Sequence, residues 1–123
     1  MLATFPRMAS KNVLTIDDES FDAEVKVSEL PMLIEFGAAW CGPCKALMPI
    51  IERIADDNAG RVRVAAVDID ESPGLAQRFG IRGAPTTLVL RSGVEVARQL
   101  GVTNRGRLLA MLGLDGAVDG ARA

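Results

Sequence analysis

The chain has 123 residues, 49% of them hydrophobic and 24% charged, with a formal net charge of −2 and a pI near 5.1. A domain of that length removes roughly two thirds of its unfolded surface from water, enough for one sizeable core. Lysines and arginines are scattered singly and no apolar run approaches the ~20 residues of a membrane helix, so neither nucleic-acid binding nor membrane contact has support.

Residues 1–12, "MLATFPRMASKN", contain no acidic residue, and Pro6 and Arg7 interrupt them before an apolar stretch of signal length can form. They are expected to be an extension ahead of the domain, in a chain that stays in the cytoplasm. "VLTI" (13–16) is β-branched and predicts a strand, and "DDESFDAEVKV" (17–27) predicts a short helix, with acidic residues in its first turn and Phe21 and Val25 four apart. "PMLIEFG" (31–37) is almost continuously apolar between a proline and a glycine, as suits a central strand covered on both faces.

From Cys41 to Asn58 the spacing is helical, with Leu47, Ile50, Ile51 and Ile54 on one face and "NAG" as the stop. Pro49 lies inside that pattern, cannot bond the carbonyl of Lys45, and predicts a kink. "RVRVAAVDID" (61–70) predicts a strand and "SPGLAQRFG" (72–80) a helix. "TTLVLRSGVEVARQLGV" (86–102) predicts two strands joined at Ser92-Gly93. "NRGRLLAMLG" (104–113) predicts a last helix burying Leu108, Leu109 and Leu112, and residues 114–123 are expected to fray. The order β-α-β-α-β-α-β-β-α calls for parallel crossovers plus a closing antiparallel hairpin, hence one domain over 13–113 with a mixed sheet between helical layers.

The chemistry lies in "AAWCGPCKALMP" (38–49), which holds both cysteines of a chain without histidine. A structural zinc site wants four Cys or His ligands, a haem attachment wants His after the second cysteine, and a Cys–His nucleophile wants His somewhere. A purely structural bridge across so short a loop removes little unfolded-state entropy. Inert buried thiols remain an option, but Gly-Pro between them is an odd place for packing alone. A redox pair explains the placement. If the helix starts near Cys41, its unpaired N–H groups and dipole favour the Cys41 thiolate, Pro43 suits the first turn, and Cys44 one turn on can attack a mixed disulfide on Cys41.

From about Asp17 to Met111 the chain resembles the thioredoxin family, through "WCGPCK", "DIDESPGLAQRFGIRGAPT" and the region of Gly101. The resemblance implies a thioredoxin-like α/β fold, a central mixed sheet of five strands flanked by four helices. It implies reduction of protein disulfides by a monomer with no bound cofactor, recharged by a thioredoxin reductase. Cys41 matches the family's nucleophile and Cys44 its resolving cysteine. Pro85 matches a proline whose preceding bond is cis, although "GAPTT" alone permits either isomer. Trp40, Gly42, Pro43, Gly83, Ala84 and Gly101 are implied as a small, flat, mostly apolar docking surface around an exposed sulfur. The backbone of Ala84 would there pair with an extended substrate, and each glycine could instead simply make a turn.

Glu35 interrupts "MLIEF", and in a doubly covered strand a carboxylate is costly unless protonated or partnered. It could also face solvent on a half-covered strand. In the resembling family a buried aspartate there is thought to move protons to and from the resolving cysteine. This chain departs from that pattern in the longer Glu35, in Gly37 where an aromatic is frequent, and in Ala66 where a lysine is common. Without that cation, Glu35 is expected to titrate above an ordinary glutamate. Two rival functions are an oxidant or isomerase, disfavoured by Gly-Pro between the cysteines, and a docking subunit, which needs neither both cysteines nor the acid.

Overall fold

The apolar run opened by Pro31 becomes the middle strand of a five-stranded sheet. A computed structural model describes residues 10–114. Its elements are β1 (Val13–Thr15), α1 (Phe21–Lys26), β2 (Met32–Gly37), α2 (Gly42–Asp57), β3 (Arg63–Asp68), α3 (Pro73–Arg78), β4 (Thr86–Arg91), β5 (Val94–Leu100) and α4 (Arg105–Met111). The sheet order is β1-β3-β2-β4-β5. β3 pairs in parallel with β1 and β2, whereas β2–β4 and β4–β5 are antiparallel.

All six residues of β2 are buried, as a strand with helices on both faces must be. Alternation sends Leu33 into a core with Leu47, Ile51 and Ile54 of α2 and Leu108, Leu109 and Leu112 of the α4 end. Met32, Ile34 and Phe36 go to the opposite core with Phe21 of α1 and Leu75 of α3. The resulting three-layer α/β sandwich agrees with the expected order, and the differences lie at element ends. α2 continues as one element through Pro49. Ile50 is only partly buried, at the margin of its core.

Two helix ends aim the chain at the site. After α3, Gly80 adopts φ +63°, with Gly80 N–H donating to Gln77 and Ile81 N–H to Ala76. That paired closure of an αL glycine delivers Ile81 to the core and sends the following loop back across the sheet. The same closure ends α4 at Gly113, with Leu114 N–H on Leu109, so Leu114 is held against the core instead of fraying. The N-terminus of α3 is capped from far away: Asp18 accepts from Gly74 N–H at 3.0 Å and Leu75 N–H at 2.7 Å. In the hairpin both Ser92 (φ 53°) and Gly93 (φ 80°) are left-handed, the turn whose twist matches paired strands.

Of the expected extension, Ser10 and Asn12 are tied to α2, their side chains donating to Asp56 Oδ1 at 2.5 and 2.9 Å. Residues 1–9, and the tail from 115 on, lie outside the described residues.

Candidate active site

β2 ends at Gly37, and the next four residues turn into α2 through a Cys41 N–H to Ala38 carbonyl bond of 3.1 Å. Cys41 is the N-cap of α2 in extended conformation, and its Sγ accepts the Cys44 N–H at 3.1 Å. A sulfur in the position usually held by a capping oxygen thus meets an unpaired helix donor and the positive end of the dipole, both of which favour a thiolate there. Pro43 occupies the first turn, where its missing N–H costs nothing. Cys41 and Cys44 are joined as a disulfide with Cα atoms 5.3 Å apart.

Both bonded cysteines are buried. Ala38, Cys41 and Cys44 form a small buried cluster against which Ile69 and Ala84 pack. Ala84 brings with it the loop that α3 directs back across the sheet, and the Ala84–Pro85 bond is cis. The loop is fixed on both sides of Ala84: Thr86 Oγ1 donates to Gly83 carbonyl at 2.7 Å, and Gly101 N–H donates to Pro85 carbonyl at 2.8 Å. The backbone of Ala84 itself bonds to no described residue, which leaves an edge for an extended segment. Gly83, Ala84, Pro85, Leu100 and Gly101 line a cleft of about 470 Å³. Gly101 has φ +78°, so it is required as a turn as well as lining the cleft.

On the buried side, Glu35 is wholly enclosed. It sits across from Ala66 on β3 and Thr87 on β4. Neither of its carboxyl oxygens, nor the Thr87 hydroxyl, has a hydrogen-bond partner among the described residues. Burial with no opposing cation pushes the acid up to about 7. Burial excludes the solvent-facing reading of Glu35, and the direction of the shift is the expected one.

A family model described as Thioredoxin matches residues 12–113. The chain belongs to the thioredoxin family. It is 43% identical over 103 residues to a thioredoxin of Acidithiobacillus ferridurans, covering 84% of this chain and 95% of that one. It is 40% identical to a thioredoxin of Allochromatium vinosum, covering 84% and 96%, and 36% identical to thioredoxin C-2 of Corynebacterium nephridii, covering 84% and 95%. With the cysteine pair in bonding geometry at the helix start, it is a thiol–disulfide oxidoreductase of the thioredoxin type, a protein disulfide reductase.

One expectation about the surface needs correcting. Cys41 is not an exposed sulfur in the disulfide form: the residue keeps 3% of its exposure and packs with Ala38 and Ala84. Of the expected docking surface, Gly83, Ala84 and Gly101 line the recess with Pro85, and neither cysteine does. Trp40, 66% exposed, stands outside the residues lining that recess. Its Nε1–H donates to Asp70 Oδ2 at 2.7 Å, which pins the indole beside the motif. Asp70 was missed from sequence, although "DID" followed by acidic Glu71 offered acceptors; nothing linear pairs it with a tryptophan thirty positions earlier. Gly42 and Pro43 are exposed at the helix start. Among the described residues no three His, Cys, Asp or Glu side chains gather as a metal ion would need, and no helix is long and apolar enough to cross a membrane.

Proposed function

We propose that this protein reduces disulfides of protein substrates as a monomer in the cytoplasm, with electrons delivered by a thioredoxin reductase and no bound cofactor. Cys41 thiolate attacks one sulfur of the substrate disulfide, forming a Cys41–substrate bond and releasing the other substrate sulfur as a thiolate. Cys44 gives its proton to Glu35 and attacks Cys41. The Cys41–Cys44 bond forms, the Cys41–substrate bond breaks, and the substrate leaves as a dithiol, reduced by the two electrons the cysteine pair has lost. Glu35, ionised, is the base for that proton, and a carboxyl held near neutrality by burial is matched to the task. Substrate lies in the recess by Pro85 with its backbone against Ala84, and Trp40, Gly42, Pro43, Gly83 and Gly101 border its approach.

The observation that carries this reading is Cys44 N–H on Cys41 Sγ at the start of α2, which supports Cys41 as the sulfur favoured as a thiolate. The test is NADPH-coupled insulin reduction with a generic thioredoxin reductase. The wild type is expected to turn over and Cys44→Ser to stall as a mixed disulfide. Equal behaviour of the two proteins would favour a docking role, and a redox potential at or above the glutathione couple would favour an oxidant.

A further inference from the structure

Beneath Cys44 one position without a side chain lies close to two groups of the site. A Cβ on Gly37 would stand 3.1 Å from Glu35 Oε2 and 3.2 Å from Cys44 Sγ. The carboxyl oxygen and the sulfur therefore flank the same small gap, separated by no more than those two distances laid end to end. Both residues are closed off from solvent, with Glu35 at 0% and Cys44 at 1% exposure. Backbone conformation does not explain the glycine. Gly37 is not among the glycines with positive φ, it stays in register with Asp68, and its carbonyl accepts Ile69 N–H at 2.9 Å like any strand residue.

We propose that Gly37 is a positioning residue for proton transfer, its absent side chain keeping the Glu35 carboxyl within exchange distance of the Cys44 sulfur. The inference rests on Glu35 as the proton carrier and adds what lets it act. In the resolving step the Cys44 S–H bond breaks, its proton passes to the Glu35 carboxylate directly or through one bridging water, and the sulfur's electron pair forms the bond to Cys41 as substrate thiolate departs. On reduction by the reductase the path runs backward, and Glu35 returns the proton to Cys44.

Few other ionisable groups face this gap. From β3 there is Asp68, on the same strand face as Ala66, but its Oδ1 accepts Asp70 N–H at 2.8 Å. β4 offers the hydroxyl of Thr87 opposite Glu35, which does not titrate in this range. α2 offers Cys44 alone, Lys45 being exposed, and the α4 end contributes Leu108, Leu109 and Leu112. A methyl group at position 37 would crowd both neighbours. Cys44 is fixed by α2 and by its cluster with Ala38 and Cys41, whereas the Glu35 carboxyl is the unbonded end of a flexible chain, so the carboxyl is the part that moves away.

The test is a double-mutant cycle on single-turnover oxidation of pre-reduced protein by saturating insulin, followed through the emission of Trp40, the chain's one tryptophan. At pH 8, Gly37→Ala is expected to lower the limiting first-order rate about tenfold and Glu35→Gln at least as far. Adding Gly37→Ala to Glu35→Gln should then change the rate by less than about twofold, because the glycine acts through the acid. Full additivity, or a wild-type rate for Gly37→Ala, overturns the inference and leaves Glu35 as carrier; a wild-type rate for Glu35→Gln removes the carrier and the inference together. Should Gly37→Ala not fold, the Glu35 carboxyl is titrated by carbon NMR in the wild type. Its midpoint should differ between oxidised and reduced protein as the Cys44 thiol appears across the gap, and identical midpoints overturn the inference.

Discussion

The two cysteines sit one helical turn apart and are served by opposite means. Cys41 is activated by backbone: the α2 N-terminus, the Cys44 N–H on its sulfur, and a loop whose unpaired Ala84 edge lies against it. Beneath Cys44 lie residues of the sheet instead, an enclosed acid with no hydrogen-bond partner among the described residues and a glycine close to both. Backbone catalysis follows from local conformation and tolerates change in distant residues. Side-chain catalysis depends on how β2, β3 and β4 pack under α2, and there this chain has its own solution. In the proposed mechanism the difference separates a generic nucleophile from a tuned resolving step.

The largest effect should break the upper half. Cys41→Ser is expected to abolish insulin reduction, by on the order of a thousandfold or more, whereas Cys44→Ser should accumulate a one-to-one mixed disulfide, seen by mass spectrometry. A mixed disulfide trapped equally by Cys41→Ser would erase the division of labour.

The next effect concerns the floor. The folded-state Glu35 is raised from 4.5 to about 7, so burial costs nothing at pH below the unfolded value, progressively more as pH rises from there to the folded value, and no more beyond it. Above pH 8 the protein carries the full cost of a buried charge, about 3 kcal/mol. The stability advantage of Glu35→Gln over wild type, from urea unfolding of the oxidised proteins, should therefore grow by up to about 3 kcal/mol between pH 4.5 and 8. A difference that does not change with pH would mean that Glu35 is not a buried lone acid.

A smaller effect sharpens the comparison by perturbing the loop from a distance. Asp18→Ala removes two hydrogen bonds to the start of α3, the helix that feeds the Ala84 loop, and should cost about 1–2 kcal/mol. Asp18→Asn should cost less. Neither should shift the pH dependence of turnover, which belongs to the floor.

The smallest effect is at Thr87, whose hydroxyl is buried without a described partner beside Glu35. Thr87→Val is expected to leave stability unchanged or raise it by no more than about 1 kcal/mol. A clear loss would mean the hydroxyl holds the carboxyl and belongs to the floor.

What the sequence disclosed follows the same line. The nine elements were readable because each has a local signature: the buried run of β2, the 3.6-residue spacing of α2, and Ser92-Gly93 between β4 and β5. The Cys41 environment was readable too, since a cap needs only the next three residues. Glu35 stood out as a charge in an apolar strand. Its contact through Gly37 to Cys44 was not readable, because a gap between a strand and a helix is set by packing and not by spacing along the chain. Asp70 on Trp40 and Asp18 on α3 were hidden for the same reason. The covered state of Cys41 was missed because Ile69 and Ala84, distant in sequence, pack against it.

The most direct measurement is the pH dependence of the limiting single-turnover rate in wild type and Glu35→Gln from pH 5 to 9. The wild-type rate is expected to rise through a step centred near 7, where the buried acid ionises and becomes a base for Cys44, and that step to vanish in Glu35→Gln. The same step in both proteins would contradict it.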